Sequence, residues 1–317
     1  MTFLSPGKFW LLLIVGALSV AYVGLQRRRR PRAVRHPDVR LVEAVSGRRA
    51  SWRRHLVAGS LGVAILALVV ALARPAQTVQ VPRTEAVVML AIDVSGSMTA
   101  TDVAPTRLAA AITEAKKFVA GAPVTFRIGL VAFDDGGHTL ATPSTDRTAL
   151  DDALNRLARG HGTAAGEGLF TALDDIKAAT SDTVIAADKP FAAVILLADG
   201  ANTIGRSLTA AARAAADQHV PVYTIAYGTA NGTVVSNGVR VRVPADPAAM
   251  AEVAQTTGGA TFTATSGNEL ASVYEKIGTR IGHIAQQQEL VVAFAVAAMI
   301  ALVIALGGAM LWNPRLV

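Results

Sequence analysis

Oxygen-bearing side chains follow an apolar segment in the first third of the chain, at a spacing that suits a hard metal ion. Asp93, Ser95 and Ser97 stand at alternate positions directly after the run Ala86–Ile92. In a turn, a carboxylate and two hydroxyls at this spacing can point at one spot. The chain has no cysteine, which excludes disulfides, thiolate zinc sites and cysteine nucleophiles. Carboxylate and hydroxyl oxygens favour Mg²⁺, with Mn²⁺ as an alternative occupant.

Two later segments bring further oxygen ligands. Asp199 follows a second apolar run, Phe191–Leu197, and Thr163 closes a glycine-flanked loop that begins at Gly160. Both apolar runs are continuous, as expected of parallel strands that are buried on both faces. Ligands of such sheets bind at the carboxyl ends of the strands. We therefore predict that Thr163 and Asp199 meet Asp93 at one edge of the sheet.

Five other polar residues are weaker candidates. Asp102 lies near the predicted metal turn and could support the metal ligands through hydrogen bonds, but we expect it to cap the following helix. Asp134 and Asp135 end a strand at the same face, where we expect solvated loop residues instead of metal ligands. His161 is the histidine of the Thr163 loop, and it is not expected to bind the metal. Glu167 is predicted to lie at the start of a helix, where a carboxylate is favourable for the helix dipole.

Strand and helix patterns alternate through the region that carries these residues. The predicted strands are Ala86–Ile92, Val124–Phe133, His138–Ala141, Phe191–Leu197, Val220–Tyr227 and Ala260–Ala264, with a hairpin over Val234–Val243 that turns at Asn237-Gly238. The predicted helices are Arg107–Ala120, Arg147–Arg159, Ala165–Ala179, Leu208–Gln218, Pro247–Thr257 and Asn268–Gly282. Such alternation predicts an α/β fold with a doubly wound, mostly parallel sheet and helices on both faces.

Three apolar runs without a charged residue are each close to the roughly 20 residues that a helix needs to cross a bilayer. They are Phe9–Leu25, Leu56–Ala73 and Leu290–Leu311. The tryptophans of the chain lie at or just beyond the ends of these runs, as is typical of the membrane interface. Arginines follow the first run instead of preceding it, so we expect a retained anchor and not a signal peptide.

The positive charge of the chain is concentrated in one loop. Residues 27–54 contain eleven arginines and two acidic residues, and the positive-inside rule places this segment in the cytoplasm. The predicted order is residues 1–8 outside, span 9–25, cytoplasmic loop 26–55, span 56–73, extracytoplasmic domain 84–285, span 290–311 and cytoplasmic tail 312–317. The domain is mildly acidic, so no nucleic-acid partner is expected. The basic loop is expected to touch anionic membrane lipid.

The pattern Asp93-x-Ser95-x-Ser97, followed by Thr163 and Asp199, resembles the metal-ion-dependent adhesion site of von Willebrand factor A domains. The resemblance implies that the two serines and the threonine serve as direct ligands, while the two aspartates act mainly through water. It also implies one open coordination position, which takes an acidic side chain of a partner protein.

Three further segments resemble bacterial membrane-anchored A-domain proteins of the aerotolerance (Bat) type, and in particular the actinobacterial UPF0353 group. They are Thr101–Leu108, Arg127–Phe133 and Thr257–Ala260. The resemblance covers nearly the whole chain and implies a multi-pass plasma-membrane protein. It also implies a role with a MoxR-type AAA+ ATPase and companion membrane proteins, in the assembly of envelope complexes or in stress tolerance. The chain departs from many relatives at Ala198, where they carry serine or threonine.

We expect a metal-dependent protein-binding module and not an enzyme. The sequence lacks a Gly-x-Ser-x-Gly elbow, a phosphate-binding loop and a His-Glu-x-x-His motif. The enzyme alternative is a metal-assisted hydrolase, with His161 or Asp134 as the general base. A structural envelope protein or an adhesin is the third alternative, although no long stalk or cell-wall anchor is evident.

Overall fold

The computed structural model describes residues 2–28, 52–181, 190–199, 202–236 and 239–312. The chain divides into two compact units, one formed by residues 1–80 with 285–317 and the other by residues 81–284. Most of the predicted arginine-rich loop, the hairpin turn Asn237-Gly238 and the tail from residue 313 lie outside the described residues.

Strands and helices alternate along the described chain. The strands are β1 (Thr2–Phe3), β2 (Pro75–Pro82), β3 (Ala86–Asp93), β4 (Arg127–Phe133), β5 (Gly137–Ser144), β6 (Phe191–Ala198), β7 (Val222–Tyr227), β8 (Thr233–Ser236), β9 (Val239–Arg242), β10 (Thr261–Ala264) and β11 (His283–Glu289). The helices are α1 (Leu11–Arg28), α2 (Trp52–Leu72), α3 (Arg107–Gly121), α4 (Arg147–Asn155), α5 (Ala165–Thr180), α6 (Leu208–Asp217), α7 (Pro247–Thr257), α8 (Gly267–Gly282) and α9 (Val291–Trp312).

The first unit contains the three helices that are long and apolar enough to cross a membrane. Their apolar stretches are Pro6–Leu25, His55–Leu72 and Val291–Leu311, and α2 packs against both α9 and α1. A helix that is long and apolar enough to cross a membrane is therefore present at each of the three predicted spans.

A small sheet in the order β1-β2-β11 was not expected from the sequence. In β2, half-buried and exposed positions alternate beyond Ala76, the period of two that a strand requires. Arg74 forms an ion pair with Glu289 beside this sheet. Strands β2 and β11 are about two hundred positions apart in the chain, so their pairing is a product of the tertiary structure.

The second unit is built on a six-stranded sheet in the order β10-β7-β6-β3-β4-β5. Neighbouring strands are parallel, except for the antiparallel pair of β4 and β5. Every residue of the central strand β3 is buried, as its continuous apolar sequence predicts. One core cluster packs α3, α4 and α8 on one face, and a second packs α5, α6 and α7 on the other. The predicted doubly wound α/β fold is confirmed.

Some predicted boundaries of this unit are wrong. Helix α4 ends at Asn155 and not at Arg159, because the following segment turns toward the end of β3, where the Gly160 amide donates to the Val94 carbonyl at 2.7 Å. Strand β4 begins at Arg127 and not at Val124. Val124 is 82% exposed and therefore does not belong to the buried strand.

The order in which strands are added to this sheet reverses at β3. The chain passes from β3 to β4 on one side and later occupies β6 on the other side of β3. The carboxyl ends of β3 and β6 thus flank the switch point, where open α/β sheets bind their ligands. Asp93 and Asp199 stand at these two ends.

Candidate metal centre

The turn after β3 gathers three predicted ligands. Asp93 is fully buried and Ser95 is 2% exposed. The Ser95 amide donates a hydrogen bond to Asp93 Oδ1 at 2.8 Å. A 3-10 turn over Gly96–Thr99 then brings Ser97 Oγ to 2.9 Å from Ser95 Oγ. One carboxylate and two hydroxyls are therefore collected within a single turn, as the sequence predicts.

The two remaining predicted ligands lie at the same edge of the sheet. Asp199 directly follows β6, which pairs with β3 up to Ile92 and Leu197, and it is 3% exposed. Thr163 is 6% exposed, and its carbonyl accepts from the Thr203 amide at 2.8 Å. The structure thus brings all five predicted residues to the carboxyl ends of the central strands.

The electrostatics of Asp93 suit a cation. Burial, and next the neighbouring carboxylate of Asp199, raise the pKa of Asp93 to about 7, although hydrogen bonds from Ser95 and from the Asp199 backbone oppose the shift. Asp93 Oδ2 is buried and has no hydrogen-bond partner among the described residues. An unsatisfied buried oxygen of this kind costs about 1–3 kcal/mol. A divalent cation beside these oxygens would relieve both the orphaned atom and the carboxylate repulsion, so the residues fit the metal.

Arg107 is a residue of this site that the sequence analysis missed. Its side chain is fully buried, and Nε and Nη2 donate to the two oxygens of Asp102 at 2.8 and 2.7 Å. Its Nη1 lies 3.7 Å from Asp199 Oδ2. Arg107 therefore joins Asp102 to one of the predicted metal residues and compensates part of the buried negative charge.

The capping role predicted for Asp102 is wrong, whereas its alternative role as a support for the site agrees with the structure. Thr106, and not Asp102, caps α3, because its side chain accepts from the Ala109 amide at 3.2 Å. Burial raises the pKa of Asp102, but hydrogen bonds from Arg107 and Thr229 outweigh it and lower the pKa to about 2. Asp102 instead binds the buried guanidinium of Arg107, because two charge-assisted hydrogen bonds stabilise the fold more than one cap at an exposed helix end.

Two glycines make room for the Arg107 guanidinium. A Cβ on Gly228 would lie 2.4 Å from Arg107 Cζ, and the φ of this residue is +128°. A Cβ on Gly232 would lie 1.9 Å from Arg107 Nη2. The guanidinium is thus enclosed by backbone on the side of the connection that follows β7.

The weaker candidates surround the site without joining it. Asp134 Oδ1 lies 3.1 Å from His138 Nε2, and Asp135 is largely exposed beside them. His161 is exposed. Glu167 lies in the first turn of α5, as predicted, and hydrogen bonds from Arg206 lower the pKa of Glu167 to about 2.

Comparisons with known proteins agree with this architecture. The family model of the von Willebrand factor type A domain matches residues 88–202, and that of the aerotolerance regulator N-terminal region matches residues 1–75. A UPF0353 protein of Mycolicibacterium paratuberculosis is 39% identical over 316 residues, which cover 97% of this chain and 94% of the relative. A UPF0353 protein of Mycobacterium avium is 41% identical over 282 residues, or 87% of this chain and 84% of the relative.

Two solved structures share the fold of the second unit. An aerotolerance-related membrane protein from Bacteroides fragilis is 22% identical with a TM-score of 0.54, and the match covers 62% of this chain and 98% of that one. BatB from Bacteroides thetaiotaomicron is 23% identical with a TM-score of 0.52, over 62% of this chain and 97% of that one.

Proposed function

Because the chain belongs to the UPF0353 family of membrane proteins, we propose that its von Willebrand factor A domain binds a partner protein through a divalent cation. The observation that carries the proposal is Asp93, a buried carboxylate with an orphaned oxygen beside the paired hydroxyls of Ser95 and Ser97. A buried carboxylate oxygen that lacks a hydrogen bond is costly, and a nearby cation would lower that cost.

The five predicted residues would hold Mg²⁺, or alternatively Mn²⁺. The oxygens of Ser95, Ser97 and Thr163 supply hard ligands, and Asp93 and Asp199 supply the negative charge. The cation contributes a positive charge to which a carboxylate of the partner can bind. The protein contributes a turn that directly follows the buried strand β3 and is itself anchored by the buried Met98, so we expect little conformational entropy to be lost when the partner binds.

We do not propose an enzymatic activity. The two candidate bases of a metal-assisted hydrolase are Asp134, which pairs with His138, and His161, which is exposed. A metal-dependent base needs to lie within hydrogen-bond reach of the attacked water. A protein-binding role requires only the cation and an accessible edge, and it is therefore preferred over the hydrolase and over a purely structural or adhesive role.

The cellular role that we propose follows from the family resemblance. The domain would recruit an envelope protein, in work with companion membrane proteins and a MoxR-type AAA+ ATPase, during assembly of envelope complexes or under stress. The arginine-rich loop would face the cytoplasm and remain within reach of such an ATPase, while the domain would face outward.

Partner capture tests the metal-dependent binding. Full-length protein is affinity-purified from its own membranes in Mg²⁺, beside Asp93→Ala at equal level. Asp135→Ala is the matched control, because Asp135 is an exposed carboxylate at the end of β4. We expect partners of the native chain to persist with the control and to be lost with Asp93→Ala and with EDTA. Identical partner lists for all samples would contradict the proposal.

The proposed topology predicts one-sided labelling of introduced cysteines. The native chain has no cysteine, so Val124→Cys, at an exposed position of the domain, and Ser46→Cys in the basic loop label without background. In intact cells, a membrane-impermeant maleimide should modify the first variant and not the second. Permeabilised cells should give both signals, and the reverse pattern in intact cells would overturn the orientation.

A further inference from the structure

The hairpin of β8 and β9 lies beside the candidate metal centre. It belongs to the connection that leaves β7 at the carboxyl edge of the sheet, and β8 contacts the turn Gly96–Thr99. This turn carries Ser97, one of the proposed ligands. A partner that reaches the cation therefore passes close to the hairpin.

Hydrogen bonds hold the connection at both ends to the metal centre. At its beginning, the amide and hydroxyl of Thr229 donate to Asp102 Oδ2 at 2.9 and 2.8 Å. At its end, the Val243 carbonyl accepts from Arg107 Nη2 at 3.0 Å, and the Asp246 amide donates to the Asp199 carbonyl at 2.6 Å. These bonds fix the base of the hairpin relative to the metal residues.

Strand β9 offers an open edge. In the described part of the chain, β9 pairs with β8 alone, and all four of its residues are exposed. The unpaired edge of a strand presents amides and carbonyls to which another chain can pair. Because β8 contacts the turn that carries Ser97, a segment that pairs with β9 would lie on the same side of the domain as the candidate metal centre, which makes this edge a surface for partner binding.

The sequence of β9 selects the partner by charge. Valine and arginine alternate in Val239–Arg242, so Val239 and Val241 share one face and the two arginines share the other. Among the described residues, Arg240 has no hydrogen-bond or ion-pair partner, and Arg242 makes only long contacts of 3.3 and 3.4 Å, to Ala230 and Asn231. Both guanidinium groups are therefore available to a partner.

We propose that β9 takes up an extended segment of a partner protein that carries carboxylates at alternate positions. One of these carboxylates binds the cation and the others pair with Arg240 and Arg242, so the inference rests on the proposed function. Opposite charges on facing positions of neighbouring strands are stabilising, and like charges are destabilising. A second copy of this strand would offer guanidinium groups and no carboxylate, which disfavours self-association through this edge.

Charged residues on an edge strand can also serve only to prevent aggregation, and charge reversal separates the two roles. The probes are a fluorescein-labelled peptide of six alternating valines and glutamates, and its valine–lysine counterpart. Binding is measured by anisotropy with the full chain in nanodiscs and Mg²⁺. We expect the double variant Arg240→Glu with Arg242→Glu to bind the glutamate peptide about tenfold or more weakly than the native chain does. The same variant should bind the lysine peptide more tightly.

Arg213→Glu with Arg280→Glu is the matched control, because both arginines are exposed on helices outside the hairpin and the change in net charge is the same. This control should retain the affinity of the native chain. Strand addition also predicts slower hydrogen exchange of the β9 amides when the glutamate peptide binds, which ion pairing of side chains alone would not produce.

Asp93→Ala separates the two hypotheses. If Asp93→Ala lowers the affinity for the glutamate peptide and charge reversal at Arg240 and Arg242 does not, the metal function stands and the β9 proposal is overturned. If charge reversal weakens the peptide while Asp93→Ala and EDTA do not, the edge strand is supported and metal bridging fails. Equal affinity of the native chain for both peptides would also overturn the β9 proposal.

Discussion

Replacing Arg107 by alanine is expected to lower the free energy of unfolding of the domain by about 3–5 kcal/mol, the cost of breaking a buried ion pair by removing one partner. Asp102 would lose two hydrogen bonds, and Asp199 would lose the positively charged guanidinium group whose Nη1 lies 3.7 Å from its Oδ2. The measurement is urea unfolding of the full chain in micelles, followed by hydrogen exchange of amides in the six-stranded sheet. Tryptophan fluorescence would not report this domain, since Trp10, Trp52 and Trp312 lie in the other unit.

Arg213→Ala is the matched control for this change. Arg213 is exposed on α6, where an alanine substitution is expected to change stability by no more than about 0.5 kcal/mol. A loss below about 1 kcal/mol in Arg107→Ala would mean that the buried carboxylates do not depend on the guanidinium. Saturating Mg²⁺ should recover part of the loss, because the cation compensates Asp199 in the native state only.

The metal-free domain is expected to become less stable as the pH rises from about 4 to 7. The pKa of Asp93 is about 7 in the folded protein and 3.8 in the unfolded chain. Between these values the folded state binds more protons than the unfolded state, so the free energy of unfolding falls with rising pH. The fall attributable to this group reaches about 4 kcal/mol. Urea unfolding in EDTA at several pH values measures it.

Asp93→Asn isolates this effect from other titrating groups. Asparagine keeps the shape of the side chain and cannot ionise, so the difference between the native chain and the variant should depend on pH only in this window. With saturating Mg²⁺ the native chain should lose the dependence near neutral pH, because the cation compensates the charge of Asp93. Parallel pH profiles of the two chains in EDTA would contradict the prediction, because they would mean that the pKa of Asp93 is the same in the folded and unfolded states.

The comparison of sequence and structure is clearest at the five predicted ligands. Asp93, Ser95 and Ser97 are local to one turn, and Asp199 ends a strand whose apolar run is as continuous as that of β3. Parallel strands bring their carboxyl ends to one edge, so strand patterns alone predicted that these residues meet. The membrane helices were equally predictable, since length and hydropathy are local properties.

The position of the arginine that compensates the acidic residues of the site could not be predicted from any local sequence pattern. The sequence by itself determined the α/β fold, the three long apolar helices and the oxygen-bearing residues of the candidate metal centre, because periodicity and composition act over a few residues. Only the tertiary structure decided that Arg107 is buried between Asp102 and Asp199, and that β2 and β11 share a small sheet. Burial of a charge and pairing of distant strands depend on which segments the fold brings together, and these segments are up to about two hundred residues apart.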